Sequence, residues 1–110
     1  MPSNYEFVDD LINDWAKRHT LTLNTSFSGR EARYAYCSSI AGECFQISID
    51  PPSVGAVSVC SWCVEGRRED DPPRYWRSTP AELGSALEKA YQTVEEWMAP
   101  SERLFPKLKS

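Results

Sequence analysis

The spacing of hydrophobic residues changes twice along this chain, and this constrains the fold more than any other feature. Apolar residues recur at helical spacing near the start, alternate through the middle, and return to helical spacing before the end. Recurrence every three or four residues indicates an amphipathic helix, whereas alternation indicates a strand with two different faces. The order is therefore helix, strands, helix, which predicts an α+β fold.

The first predicted helix covers roughly residues 4–18. Ser3 and Glu6 have the spacing of a capping box, in which the serine accepts a first-turn amide and the glutamate reaches back. Apolar residues then follow at helical spacing: Val8, Leu11, Ile12 and Trp15. The single histidine, His19, follows this helix near the negative end of the helix dipole, and we expect a structural role for it.

Four strands are predicted between the helices. Residues 21–27 and 33–37 alternate and are separated by a turn, which indicates a hairpin. Residues 45–49 form a third strand, which ends at Pro51 because proline cannot donate to a sheet ladder. Residues 56–65 are apolar or small on both faces, which predicts a central strand covered on both sides.

The second helix is predicted from a clear start signal. Residues 66–78 mix charges, prolines and aromatics without periodicity, which predicts a loop. The helix then begins at Thr79, with Pro80 at its first position and Glu82 as the capping-box partner. An apolar stripe continues to Pro100, which is predicted to end the helix.

The simplest architecture for this order is an antiparallel four-stranded meander sheet with an N-terminal and a C-terminal helix packed on one face. With 110 residues, the chain has room for one hydrophobic core. Residues 1–100 are therefore predicted to form a single α+β domain. Residues 101–110 are predicted to form a C-terminal tail that packs weakly against the domain or frays.

Charge and hydropathy limit the partners that this chain can have. The net charge is −4, and both predicted helices are acidic on their outer faces, which favours basic partners over nucleic acid. The longest apolar stretches are far shorter than the ~20 residues that cross a bilayer. Because the first residues also lack a basic region followed by an apolar run, we expect a cytoplasmic protein without a membrane partner.

The four cysteines are the sharpest chemical motif. Cys60 and Cys63 have the C-x-x-C spacing of zinc and redox sites, and Cys37 and Cys44 could complete a set of four thiolates. On a regular strand, however, residues three apart point to opposite faces, so the pair shares a metal only if the strand bends. We expect no cofactor and buried cysteines, with a small Cys-based metal-binding or redox regulatory protein as the alternative.

Sequence signatures of enzymes are missing. The chain has no phosphate-binding glycine loop, dinucleotide fingerprint, G-x-S-x-G or H-E-x-x-H motif. A Cys/His dyad would have to use His19, and nothing in the sequence brings His19 next to a cysteine. We therefore expect a non-enzymatic protein.

Acidic and aromatic residues in two segments are the candidate partner-binding residues. Acids at helical spacing line one face of the first helix, and the loop that follows the last strand joins consecutive acids to prolines, arginines and a Tyr–Trp pair. Tyrosine, tryptophan and arginine often dominate binding energy, and acids steer basic partners. The candidate set is Asp10, Asp14, Glu69, Asp70, Asp71, Tyr75 and Trp76. The alternative for the two aromatics is that they turn inward and close the core.

A third hypothesis is a weak nucleic-acid binder. The same loop carries four arginines beside the aromatics that could stack bases: Arg67, Arg68, Arg74 and Arg77. Three adjacent acids oppose that attraction, so nucleic acid is not the expected partner.

The layout of the chain resembles a known family. An acidic first helix, a short strand meander, and a last helix running from Trp76-Arg77-Ser78-Thr79-Pro80-Ala81-Glu82-Leu83 to Val94-Glu95-Glu96-Trp97 are similar to small bacterial immunity proteins of polymorphic toxin systems, in particular the TriTu-type group. The resemblance implies a cytosolic protein that binds and blocks a toxin, often a basic nuclease. It assigns no functional residue.

Overall fold

A computed structural model describes residues 5–66 and 70–104 of the chain, and side chains as far as residue 99. The elements follow the order that the hydrophobic spacing indicates, with a helix at each end and the strands between them. In chain order they are α1 (Asp9–Arg18), β1 (Asn24–Phe27), β2 (Arg30–Ser38), β3 (Cys44–Ile49), β4 (Val57–Glu65), β5 (Arg74–Ser78), a 3₁₀ turn (Pro80–Glu82) and α2 (Leu83–Leu104).

The five strands form one antiparallel sheet whose spatial order is the sequence order, β1 to β5. This confirms the α+β class and the antiparallel meander, but the predicted number of four strands is wrong. The additional strand, β5, lies within the segment predicted to be a loop, and it pairs with β4 from Val57↔Ser78 to Ser61↔Arg74. Five residues with charges on both faces carry too little alternation to indicate a strand until the partner strand is known.

Among the described residues, only one face of β4 is covered. Val57, Val59, Ser61 and Cys63 are buried, whereas the residues between them are half-buried or exposed. The prediction of a strand covered on both sides is therefore wrong. Small and weakly polar residues tolerate partial exposure, so a run of them does not by itself prove that a second layer is present.

Both helices pack on this covered face. Buried residues of α1 and α2 join the inward residues of β2, β3 and β4 in one hydrophobic cluster, in which Trp15, Phe45 and Leu87 are fully buried. The buried Ser61 hydroxyl donates to the carbonyl of Ala90 at 3.0 Å, which links β4 to α2. The cluster places the core between the helices and the sheet and leaves the other sheet face without a described layer.

The first helix begins later than predicted. Helix α1 starts at Asp9, and the carbonyl of Tyr5 accepts from the amides of Val8 and Asp9 in the turn that precedes it. The buried Tyr5 hydroxyl donates to the carbonyl of Ile49 at 2.8 Å, which attaches this turn to β3. Ser3 of the predicted capping box lies outside the described residues.

The second helical segment starts at Pro80 as predicted, but it starts as a 3₁₀ turn without a side-chain capping bond to the backbone; α2 itself begins at Leu83 and extends further than predicted. Thr79 precedes the 3₁₀ turn with Pro80 at its first position, and its hydroxyl donates to the Glu82 carboxylate at 3.3 Å. Helix α2 then continues through Pro100 to Leu104, so the prediction that Pro100 ends it is wrong. Glutamate, arginine and leucine at 102–104 have high helix propensity, so the sequence after the proline still favours a helix. The rest of the predicted tail, 105–110, lies outside the described residues.

Candidate functional site

The acids of the predicted site do not meet in the fold. Asp10 and Asp14 are exposed on α1, which is attached to β2 through the ion pair of Asp9 with Arg33. Asp70 and Asp71 are also exposed, but they lead into β5, which β3 and β4 separate from β2. Glu69, the remaining acid of the predicted set, lies outside the described residues. The acidic candidates therefore occupy at least two separate surfaces.

The two aromatics of the predicted site lie on opposite faces of β5. Trp76 pairs with the buried Val59 and packs against the core, while Tyr75 pairs with Cys60 and is 67% exposed. Neighbouring residues of a strand always point to opposite faces, so the sheet separates a pair that a loop could have kept together. The inward alternative thus holds for Trp76, and Tyr75 remains a surface candidate.

The sheet face that carries Tyr75 is the candidate functional site, and we call it the open face. In the described part of the chain no element packs on it. Strand pairing arranges its side chains in rows of half-buried or exposed residues, and two of these rows carry aromatic rings. One row runs Tyr34, Ser48, Cys60, Tyr75, and the other runs Tyr36, Gln46, Trp62.

Aromatic rings on the open face contact each other edge to face. Phe27 and Tyr34 have ring centroids 6.2 Å apart and planes at 83°, and Tyr34 and Tyr36 have centroids 5.6 Å apart at the same angle. The Tyr34 hydroxyl donates to the carbonyl of Ser26 at 3.2 Å, which fixes the central ring of the three. Contiguous exposed aromatics of this kind are typical of interaction surfaces, which makes this face a candidate.

Two cavities follow the open face and share three lining residues, Ser48, Asp50 and Trp62. The larger, of about 430 Å³, also includes the rings of Phe27, Tyr34 and Tyr36. The smaller, of about 360 Å³, extends towards Cys60, Pro73 and Tyr75. Because they share residues, the two cavities form one groove across the sheet, and each has the size of a small ligand site.

The charged groups along this groove are mainly carboxylates. Glu31 and Asp50 line the larger cavity, together with Arg33. The Arg33 guanidinium is already held by Asp9, with Nε 2.7 Å and Nη2 3.1 Å from the two carboxylate oxygens, and lies 3.6 Å from Glu31. The Asp50 carboxylate, in contrast, belongs to an exposed residue that lines both cavities. The groove therefore offers negative charge to a ligand.

The cysteines are divided equally between the two faces of the sheet. Cys37 and Cys63 are buried on the covered face on either side of Phe45, whereas Cys44 and Cys60 are half-buried on the open face. Burial raises the pKa of the Cys37 thiol to about 11 and also raises the pKa values of Cys44 and Cys60. Within residues 5–66 and 70–104, no three His, Cys, Asp or Glu side chains come together to hold a metal ion. This arrangement disfavours both the zinc site and a reactive thiolate.

His19 joins the two helices. Its Nε2 lies 3.0 Å from both carboxylate oxygens of Glu88, and its ring stacks on Tyr91 with centroids 3.9 Å apart. Its partners are thus a carboxylate and an aromatic ring of α2. This contact provides the structural role expected for it.

The arginines proposed for nucleic acid are also dispersed. Arg67 and Arg68 lie outside the described residues. Arg74 lies 5.7 Å from the centre of the Trp76 ring, and Arg77 pairs with Ser58 and so belongs to the opposite face of β5. Because side chains alternate along β5, Arg74 and Arg77 lie on opposite faces of the sheet, as Trp76 and Tyr75 do.

The sequence contains one signal for the open face, the position of aromatic residues between buried ones along a strand, and the predicted site does not include it. Tyr34 and Tyr36 alternate with residues of the covered face, and Trp62 lies between two buried positions of β4. Aromatics on the outward positions of strands are exposed whenever only one face is covered. That signal depends on knowing that no second layer covers the sheet.

Together these features define a small α+β protein with a one-sided antiparallel sheet and an aromatic, acidic groove on its open face. Comparison with known protein families, with curated proteins and with solved structures finds no match to this chain. No helix of the described residues is long and apolar enough to cross a membrane.

Proposed function

We propose that this chain is a non-enzymatic protein-binding module that holds a basic protein partner against the open face. The observation that carries the proposal is the set of exposed aromatic rings along one groove, on a sheet whose other face is covered by helices. Phe27, Tyr36 and Tyr75 are 62%, 47% and 67% exposed, and burying them against a partner would remove a large apolar area from water.

Charge supports a basic partner over a neutral one. The net charge is −4, and the groove adds Asp50 at the junction of its two cavities. Exposed acids elsewhere, including Asp10, Asp14, Asp70 and Asp71, would raise the rate of encounter with a cation-rich surface without having to touch it. In this proposal, the acids of the predicted site attract the basic partner during encounter, and the aromatic groove forms the contact with it.

The preferred version of this function is neutralisation of a basic bacterial toxin. The resemblance to small immunity proteins supports it, and so does the position of the site on a hydrogen-bonded sheet, because an inhibitor gains affinity from a surface that is already formed. A sheet supported by two helices is such a surface. In this version the protein acts in the cytoplasm by covering the working surface of the toxin.

The experiment is capture of a partner followed by titration. Tagged protein is used to isolate partners from its native cells, in parallel with a Trp62→Ala/Tyr75→Ala variant of the open face. A Phe7→Ala variant is the matched control, because Phe7 is 93% exposed outside the groove. We expect one stoichiometric basic protein that the open-face variant loses and the control keeps, and whose activity disappears at a one-to-one ratio.

Other outcomes would decide against parts of the proposal. A basic partner that keeps full activity when bound would contradict neutralisation but not binding. A partner held equally by the open-face variant would remove the open face from the interface, and charge reversal of Asp10 and Asp14 would then test the outer face of α1. If no basic protein binds, the proposed function is wrong.

A further inference from the structure

We infer that the groove on the open face is a recognition site for an arginine side chain of the partner, held between aromatic rings and the Asp50 carboxylate. This inference rests on the proposed function and specifies the group that the partner inserts. Three properties of the groove carry it: the angle between the rings, the charge along the walls, and the hydrogen-bond acceptors beside them.

The rings form a corner rather than a stack. Tyr34 stands nearly perpendicular to both Phe27 and Tyr36, at 83° in each pair. Two rings at a right angle present one face and one edge to the same space, and an aromatic face attracts a cation through its quadrupole. The Trp62 ring, which binds cations best of the aromatic types, lines the same cavity. The groove thus has the walls of an aromatic cage.

The charge of the groove lining favours binding of a cation. Its lining carries two carboxylates, those of Glu31 and Asp50, against one guanidinium, that of Arg33. Arg33 is already bound by Asp9 at 2.7 Å and so does not neutralise Asp50. Arg77 also belongs to the open face, but it lines neither cavity. A neutral or anionic group placed beside Asp50 would gain nothing from this field, whereas a cation would be attracted by the carboxylate and by the ring faces together.

The polar groups select a guanidinium over an ammonium. Gln46 and Ser48 belong to the two aromatic rows, on the strand between β2 and β4, and with Asp50 they provide an amide oxygen, a hydroxyl and a carboxylate as acceptors. A guanidinium presents five N–H donors in one plane and also lies flat on aromatic rings, which an ammonium cannot do. The larger cavity, of about 430 Å³, accommodates an arginine side chain together with part of the chain that carries it.

The test uses blocked tripeptides as probes: Gly-Arg-Gly, Gly-Lys-Gly, and Gly-citrulline-Gly as the uncharged isostere of arginine. The readout is the indole N–H resonance of Trp62 in ¹⁵N-labelled protein, assigned by its loss in a Trp62→Phe variant. We expect a saturable shift with the arginine peptide, a weaker one with lysine and none with citrulline. The affinity of the arginine peptide should fall as salt is added.

Matched variants locate the site. Tyr36→Leu keeps apolar volume and removes one ring, and it should weaken binding of the arginine peptide about fivefold, the loss of one exposed cation–π contact. Asp50→Asn should weaken it and reduce its salt dependence. Phe7→Leu and Asp14→Asn, which change an exposed aromatic and an exposed acid outside the groove, should change nothing. The amide spectrum of each variant shows directly whether it is folded.

Several results would overturn the inference. Equal binding of arginine and citrulline would show that charge is not recognised, and a response confined to the outer face of α1 would place the site elsewhere. Tighter binding of tetramethylammonium than of the peptide would assign the cage to a small free cation. A basic protein that binds wild type and Tyr36→Leu equally would overturn the arginine site and leave the proposed function standing. If the arginine peptide binds as expected but no basic protein binds, the arginine site stands and the proposed function is wrong.

Discussion

At the scale of single residues, Arg33 shows what a charge needs in order to be buried in so small a domain. Its side chain is 8% exposed, and its guanidinium lies 4.4 Å from the centre of the Tyr5 ring. It also donates to the carbonyl of Ala32 at 2.7 Å and to that of Thr25 at 3.3 Å. Asp9 completes the set with two hydrogen bonds, and so the charge is fully paired.

We predict that Asp9→Ala lowers the free energy of unfolding by about 3 kcal/mol, because it leaves a buried guanidinium without its main counter-ion. Glu31, at 3.6 Å, compensates only in part. Urea denaturation followed by tryptophan fluorescence measures the change. Asp14→Ala is the control, since this acid of the same helix is exposed, and it should stay within about 0.5 kcal/mol. Equal effects of the two substitutions would show that the Asp9–Arg33 pair does not stabilise the fold.

At the scale of elements, β5 changes the meaning of the segment that contains it. As a loop, residues 74–78 would present Tyr75 and Trp76 together, and both would be candidates for one interface. As the edge strand of the sheet, the same residues place one ring in the core and the other on the open face. A variant that combines Trp76→Ala with surface changes would therefore test folding as much as binding.

This division predicts opposite results for adjacent residues. Trp76→Ala should lower the free energy of unfolding by about 2 kcal/mol, because it removes a half-buried ring that packs on the core. Tyr75→Ala should change it by about 0.5 kcal/mol or less, because that ring is 67% exposed. Chemical denaturation of the two variants under identical conditions makes the comparison. A larger loss for Tyr75→Ala would contradict the pairing assigned to β5.

At the scale of the whole molecule, the one-sided sheet determines which groups solvent can reach. The covered face and the helices hold Cys37 and Cys63, whereas Cys44 and Cys60 belong to the face that no described element covers. A two-layer fold therefore places chemically identical residues in two environments. The same asymmetry leaves aromatic rings in contact with solvent without exposing the core.

Thiol counting tests this arrangement. In the folded protein at pH 8, a soluble disulfide reagent should modify Cys44 and Cys60, slowly because their pKa values are raised, and leave the other two intact. Burial raises the pKa of Cys37 to about 11, so its reactive thiolate form is scarce at that pH. All four should react in denaturant. Peptide mapping identifies the modified residues, and early modification of Cys37 or Cys63 would mean that the assigned covered face is accessible.

The site shows where prediction from the sequence stopped. The predicted site consists of acids and aromatics that are close along the chain, and this closeness groups Trp76 with Tyr75. It omits Tyr36, Trp62 and Asp50, which lie far apart in sequence and line one cavity only after β2, β3 and β4 pair. A surface assembled from several strands has no local sequence pattern.

The order of helices and strands, the α+β class and the helical start at Pro80 follow from the sequence alone, because each depends on periodicity and start signals among residues close along the chain. The sequence also implied that Cys60 and Cys63 point to opposite faces, since strand geometry requires it. Three features become visible only in the folded chain: β5 joins the sheet, one face of β4 is covered, and the aromatic rings line one groove. Burial depends on which distant segments pack together, and that information is not contained in the spacing of neighbouring residues.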